Sequence, residues 1–232
     1  MSEARFADIS GYNPTSSSYF DALKNAGASG VVVKLTEGSS YFSPNATAQC
    51  AQAKSHGLKL SVYHFWRGNA TAEANFFLSK IKQLGLPTST PVVCDYEASP
   101  SSASSLNAFF SVLENAGYKN IVIYTMSSWV KAGRLSGVKG YQWIASYGVS
   151  SCPVPCDAWQ YSDSTMIQGN RTDFSIDYKG LFTDPNAGGG SSDSNAKREN
   201  DNKKDQADKT NKQDCYSFIN LMNNSIYDKW LF

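Results

Sequence analysis

The segment at 90–98, TPVVCDYEA, carries two carboxylic acids one residue apart at the end of an apolar run. A short run opened by Pro91 and closed by acids reads as a buried strand that delivers its C-terminal end to a site. Alternation along a strand puts Asp95 and Glu97 on one face, about 7 Å apart. Two carboxylates that close in a partly dry pocket do not both ionise freely, so one gains proton affinity while the other stays charged. Glycosidic bond cleavage asks for this pairing: one group protonates the leaving oxygen and the other supports the developing oxocarbenium ion. The competing reading of an isolated D-x-E is a strand end whose acids cap the next helix. The elements around the segment decide between the two.

Those elements alternate. FADIS at 6–10 is a first strand ending near Asp8, and GVVVKLTE at 30–37 a second ending in Glu37. LKLSVYHFW at 58–66 is a third, the opening segment a fourth, and 120–126 a fifth. Between them lie helical stretches: YFDALKNA behind a Ser16–Ser18 cap, 46–56, 69–84 and 101–116, each stopped by a glycine, and then 127–135. YQWIASY at 141–147, DAWQY at 157–161 and DFSIDY at 173–178 follow as strands without helices between them. Five strand-helix units and three closing strands make eight strands, the number that closes a TIM-like α/β barrel. β-Branched strands covered by helices favour parallel packing. A doubly wound open sheet is the alternative, but no G-x-G-x-x-G follows the first strand.

In such a barrel the site lies at the C-terminal strand ends. Asp8, Glu37, Asp95 and Glu97 fall there, with Asp173 or Asp177 from the last strand, which neighbours the first once the barrel closes. Around them fall Tyr63, His64, Tyr124, Trp143, Tyr147, Trp159 and Gln160. An acidic cup ringed by aromatic side chains suits an uncharged, ring-shaped polymer better than a phosphate. A net charge of +1 gives no pull toward nucleic acid. No apolar run is long enough for a signal-peptide core or a membrane span, so stable membrane insertion is not expected. The cysteines number five, with Cys152 and Cys156 close together in CPVPC and only two histidines in the chain. That inventory favours neither a complete disulfide framework nor a zinc site.

FADIS, VVVKLTEG, SVYHFW, VVCDYEAS, WIASYG, AWQYS and TDFSIDY, in this order over roughly residues 5–183, resemble glycoside hydrolase family 25, the N-acetylmuramidase lysozymes common among phage endolysins. The resemblance implies a barrel of five β/α units with three closing strands. It also implies cleavage of the β-1,4 bond from N-acetylmuramic acid to N-acetylglucosamine in bacterial peptidoglycan, by a monomer without metal or organic cofactor. Carried over by motif, Glu97 matches the general acid, Asp95 its partner and Asp8 the acid of the first strand. Asp173 matches a fourth acid, although Ser175 stands where the family pattern has asparagine and Asp177 offers a second acid. Tyr63, His64, Tyr124, Trp143, Tyr147, Trp159, Gln160, Glu37 and Asp177 fall in the substrate-binding set. The endolysin likeness implies synthesis in a host cytoplasm followed by action on the wall; an extracellular enzyme is the alternative.

The barrel is expected to occupy 1–184. After Pro185 the chain turns to glycine, serine and balanced charge, a linker over 185–213, and residues 214–232 form a short apolar segment too small for its own core. Two other functions fit parts of the pattern. A chitinase-like barrel would carry the longer run D-x-x-D-x-D-x-E, which Pro91, Val92 and Val93 interrupt. A catalytically silent glycan-binding barrel would not need both Asp95 and Glu97.

Overall fold

The computed structural model describes residues 3–187, so the linker from 188 onward and the apolar segment at 214–232 lie outside the described residues. The elements run β1 (Arg5–Ile9), α1 (Ser17–Asn25), β2 (Ala28–Glu37), β3 (Tyr41–Phe42), α2 (Ala46–Ser55), β4 (Lys59–Phe65), α3 (Ala70–Gln83), β5 (Val92–Asp95), α4 (Ala103–Asn115), β6 (Ile121–Met126), α5 (Ser127–Lys131), β7 (Tyr141–Ala145), β8 (Ala158–Ile167) and β9 (Asn170–Asp177). The sheet order is β1-β9-β8-β7-β6-β5-β4-β2-β3, and a β1–β2 pairing closes the ring. The result is an eight-stranded mixed α/β barrel, with β3 as a short antiparallel extension of β2. Among the described residues no helix is long and apolar enough to cross a membrane.

The local chemistry follows from the residue types. Ser16, Asn69 and Ser102 cap α1, α3 and α4 through side-chain oxygens that accept from backbone N–H groups. The first four helices hand over to Gly27, Gly57, Gly85 and Gly117, all at positive φ, where a β-carbon would be strained. Each strand has two buried faces. The outer face, including Val31, Val33, Val62, Cys94 and Ile123, packs on Phe20, Leu23, Phe77, Phe109 and Phe110 of the helices. The inner face, including Phe6, Val32, Val93, Val122 and Trp143, fills the barrel.

Two features depart from the expectation. The strand at 90–98 stops at Asp95, leaving Glu97 in the bend beyond it. The last strand is antiparallel to both neighbours, because β8 and β9 form a long hairpin whose two-residue turn is Gln168 and Gly169, both at positive φ. A strand delivered by a tight hairpin can only run back against its predecessor. Its first half therefore lies at the C-terminal rim of the parallel strands and its last residues at the opposite rim.

That opposite rim is plugged by the chain after β9. Phe182 stacks on Phe6 with ring centroids 4.3 Å apart, and its carbonyl oxygen sits where a β-carbon on Gly30 would be, at 1.9 Å. Gly30 is thus required by a backbone approach. Gly30→Val is expected to overpack the plug and cost about 1–3 kcal/mol, read as a fall in Tm of roughly 3 to 10 °C. An unchanged Tm would show that the plug moves aside freely.

Cys50 and Cys94 are buried thiols, and Cys152 is half-buried. A hydrogen bond with Cys156 leads the groups that bring the Cys152 thiol down to about 7, with the Val154 backbone and Lys131 adding and burial opposing. Burial pushes Cys50 up to about 12. Iodoacetamide at pH 7.5 is expected to label Cys152 well ahead of Cys50 and Cys94 in the native protein. Peptide mass mapping checks the order.

Candidate active site

At the C-terminal rim of the parallel strands a cup of about 90 Å³ is lined by Asp8, Tyr63, Asp95, Glu97, Tyr124, Trp143 and Asp173. The four acids come from three places in the chain. β1 presents Asp8, and the antiparallel register sets Asp173 of β9 directly opposite it, a spacing of roughly 5 Å between β-carbons. β5 contributes Asp95, and Glu97 follows two residues later. Asp95 pairs in register with Tyr124 of β6, and Tyr124 with Trp143 of β7; the two rings meet at 4.6 Å and 60°.

Polar contacts hold this arrangement. Gln160 donates from Nε2 to Asp8 Oδ2 at 2.9 Å, while its Oε1 accepts the hydroxyls of Tyr124, at 2.6 Å, and Tyr147. Trp143 Nε1 donates to Ser175 Oγ at 3.0 Å. Asp95 Oδ1 is buried and has no hydrogen-bond partner among the described residues. An acceptor left open in a polar cup is available to a substrate N–H or O–H.

The acids hold their protons more tightly than ordinary carboxylates. Burial raises Asp8 well above the usual range, Asp173 and Glu97 adding by repulsion and the Gln160 hydrogen bond opposing. Burial and then Glu97 raise Asp95 well above it, with the Lys34 ammonium pulling the other way. Glu97 is raised by burial against the same ammonium. Asp173 goes to about 6 through burial and the nearby Asp163, with Arg171 opposing. Burial and the surrounding acids also keep the Tyr63 and Tyr124 phenols neutral, as donors.

Several residues expected to touch substrate lie elsewhere. Side chains alternate across a strand, so Tyr63 faces the cup and His64 faces out. His64 is buried between β4 and α3, its ring nitrogens 2.8 Å from Thr36 Oγ1 and 2.7 Å from Glu73 Oε2. Alternation likewise turns Trp159 away while its neighbour Gln160 points in; the Trp159 indole N–H donates to the Ser146 carbonyl at 2.8 Å. Asp177, at the far end of antiparallel β9, accepts from the Phe182 backbone N–H at 2.7 Å and Thr183 Oγ1 at 2.9 Å beneath the plug. Of the two candidate acids on that strand, only Asp173 lines the cup. Glu37 lies outside the cup, paired with Lys34 and Arg67. Tyr147 stands half-exposed at the rim. Lys34 went unremarked in the sequence, although a lysine inside the run VVVKL, in phase with inward-facing Val32, is the signal that would have found it.

An eight-stranded α/β barrel that gathers carboxylic acids and aromatic rings at its C-terminal rim, without a phosphate-binding glycine turn, brings together the groups that glycosidic bond cleavage asks for. Residues 7–170 match the profile of the Glycosyl hydrolases family 25, and the chain belongs to that family. It is 32% identical over 165 residues to the autolytic lysozyme of Clostridium acetobutylicum, an alignment covering 68% of this chain and 51% of that protein. It is 31% identical over 174 residues to Lysozyme M1 of Streptomyces globisporus, covering 65% and 59%. The chain thus spans between half and three-fifths of the length of these curated relatives. Among solved structures, the bacterial lysozyme from Streptomyces coelicolor superposes with a TM-score of 0.60 at 26% identity, covering 76% of this chain and 93% of that one.

Proposed function

We propose that this chain is a muramidase that hydrolyses the β-1,4 bond between N-acetylmuramic acid and N-acetylglucosamine in bacterial peptidoglycan and acts at the cell wall, a reading supported by its likeness to an autolytic lysozyme and a phage lysozyme. The observation that carries this reading is the convergence of Asp8, Asp95, Glu97 and Asp173 on one aromatic-walled cup. Glu97 is the general acid. Asp95 and Glu97 both hold a proton more tightly than an ordinary carboxylate, but protons in such a set belong to the group as a whole, and transfer requires access. Glu97 stands past the strand end and partly exposed, whereas Asp95 is buried.

With the proton on Glu97, Asp95 is the anion. Its open oxygen accepts the acetamide N–H of the bound sugar and turns the acetamide carbonyl oxygen toward the anomeric carbon. That oxygen bonds to the carbon as the glycosidic bond breaks, and the Glu97 proton goes to the departing oxygen. Water then opens the cyclic intermediate, giving its proton to Glu97. Asp8 and Asp173 face each other across the β1–β9 seam, where they hold sugar hydroxyls, and Tyr124 and Trp143 wall the ring.

Product analysis tests the proposal. The protein is incubated with purified peptidoglycan and separately with chitin, and the products are reduced with borohydride and analysed. Reduced muramic acid from peptidoglycan is the expected result. New glucosamine ends from chitin would mark a chitinase-like enzyme, and no release from either a silent glycan-binding barrel.

A further inference from the structure

Beside the cup on the same rim lies a groove of about 420 Å³ whose lining includes Tyr12, Lys34, Glu37, Tyr41 and Arg67. This is within the size range of ligand sites, roughly 300–1,000 Å³, whereas the cup holds only the reacting part of a substrate. The same strands serve both. β1 places Asp8 in the cup, and the turn that follows it places Tyr12 in the groove; β2 supplies Lys34, whose charge acts on both Asp95 and Glu97.

Their charges are opposite. The cup carries four acids, while the groove sets two cations against one carboxylate. Lys34 Nζ lies 2.6 Å from Glu37 Oε2, and Arg67 donates from Nε to Glu37 Oε1 at 3.0 Å. Both cations rest on the Phe65 ring, at 4.7 and 4.6 Å from its centroid, which fixes them before any ligand arrives. Arg67 remains half-exposed, and a guanidinium has five N–H donors, so donors remain after Glu37 is served. Tyr12 stands 97% exposed on the lip and Tyr41 46%, as contact area for a chain laid along the groove.

A substrate with a neutral ring and an anionic arm would be repelled by the cup at the arm and attracted by the groove. We infer that this groove is the subsite for the carboxylate-bearing peptide that hangs from the muramic ring, with Arg67 as the carboxylate ligand and Tyr12 as the wall of the peptide channel. The inference rests on the muramidase reading of the cup and adds to it where the second arm of the substrate goes.

The test compares glycan chains bearing their acidic peptides with the same chains stripped by an amidase, which leaves only the lactyl carboxylate next to the ring. For wild type, Arg67→Gln and Tyr12→Ala, the quantity read is the ratio of KM on stripped chains to KM on peptide-bearing chains. Arg67→Gln is expected to lower that ratio about tenfold and Tyr12→Ala about threefold, with kcat on peptide-bearing chains held within twofold. Tyr12 lies almost wholly in solvent, so its variant is safe for the fold. A ratio unmoved in both variants overturns the inference, as does an equal rise of KM on both substrates, which would mean that Arg67 reads the lactyl carboxylate instead. Calorimetric binding of the same two chains to Glu97→Gln protein needs no turnover. If wild type releases no sugar ends yet Arg67→Gln, combined with Glu97→Gln, removes a peptide-dependent gain in affinity, the hydrolytic reading fails and the groove stands. If no such gain exists, the groove fails by itself.

Discussion

Glu97→Gln is expected to keep the fold and lose about 10²- to 10⁴-fold in kcat on purified peptidoglycan, the range that general acid catalysis contributes. The amide has the shape of the acid and none of its proton. The groups proposed to bind sugar, Tyr124, Trp143 and the Asp8–Gln160 contact, are untouched, so KM should change little. The loss then belongs to the transition state rather than to binding. Reducing-end release at several substrate concentrations, with circular dichroism to check the fold, makes the measurement. A folded Glu97→Gln protein with near wild-type turnover would remove Glu97 from the role.

Asp95→Asn carries the second large effect, in two directions at once. Turnover should fall about 10²- to 10³-fold, the magnitude typical of deleting one preorganised electrostatic partner, while thermal stability should rise. The sign follows from linkage. Burial and Glu97 raise the proton affinity of Asp95 in the folded protein, so between the unfolded and folded values the native state binds more protons than the unfolded one. Stability contributed by this group is present below the unfolded carboxylate value, about 4, and is lost as pH rises through the folded one. Asparagine removes that loss. The gain in Tm over wild type should be widest near neutral pH and vanish below about pH 4. A Tm difference that does not vary with pH would mean that the Asp95 charge is not being forced into the native state. The activity arm also tests how Asp95 acts. If it orients the substrate acetamide, a substrate stripped of its N-acetyl group should react slowly with wild type and lose little more on Asp95→Asn. A direct nucleophile would cleave that substrate at full rate and lose it in the variant.

These expectations share a physical basis. The cup stores unfavourable electrostatic energy, because four acids are held by a scaffold whose stability comes from the two apolar layers of the barrel. Lys34 limits that cost from one side, and its ammonium belongs to the neighbouring groove as much as to the cup.

Much of this was legible in the chain itself. The order of strands and helices, the cap at Ser16, the glycine stops and the strand ends bearing Asp8 and Asp95 are consequences of local residue types and short-range periodicity, which do not depend on distant neighbours. The period of two is also local, and it separates Tyr63 from His64 and Trp159 from Gln160; type and position at a strand end favoured all four alike, and only the inward pair approaches the cup. What local pattern could not supply was direction. Whether Asp173 or Asp177 joins the acids depends on β9 running antiparallel, and the polar stretch at 162–165 hid the hairpin that reverses it. Likewise Glu37 and Lys34 share β2, yet the closed ring sets both in the neighbouring groove, where Arg67 from just past the end of β4 pairs with Glu37. Side-chain identity is a property of the residue, whereas rim and neighbour are properties of the closed barrel, and only the tertiary structure decided those.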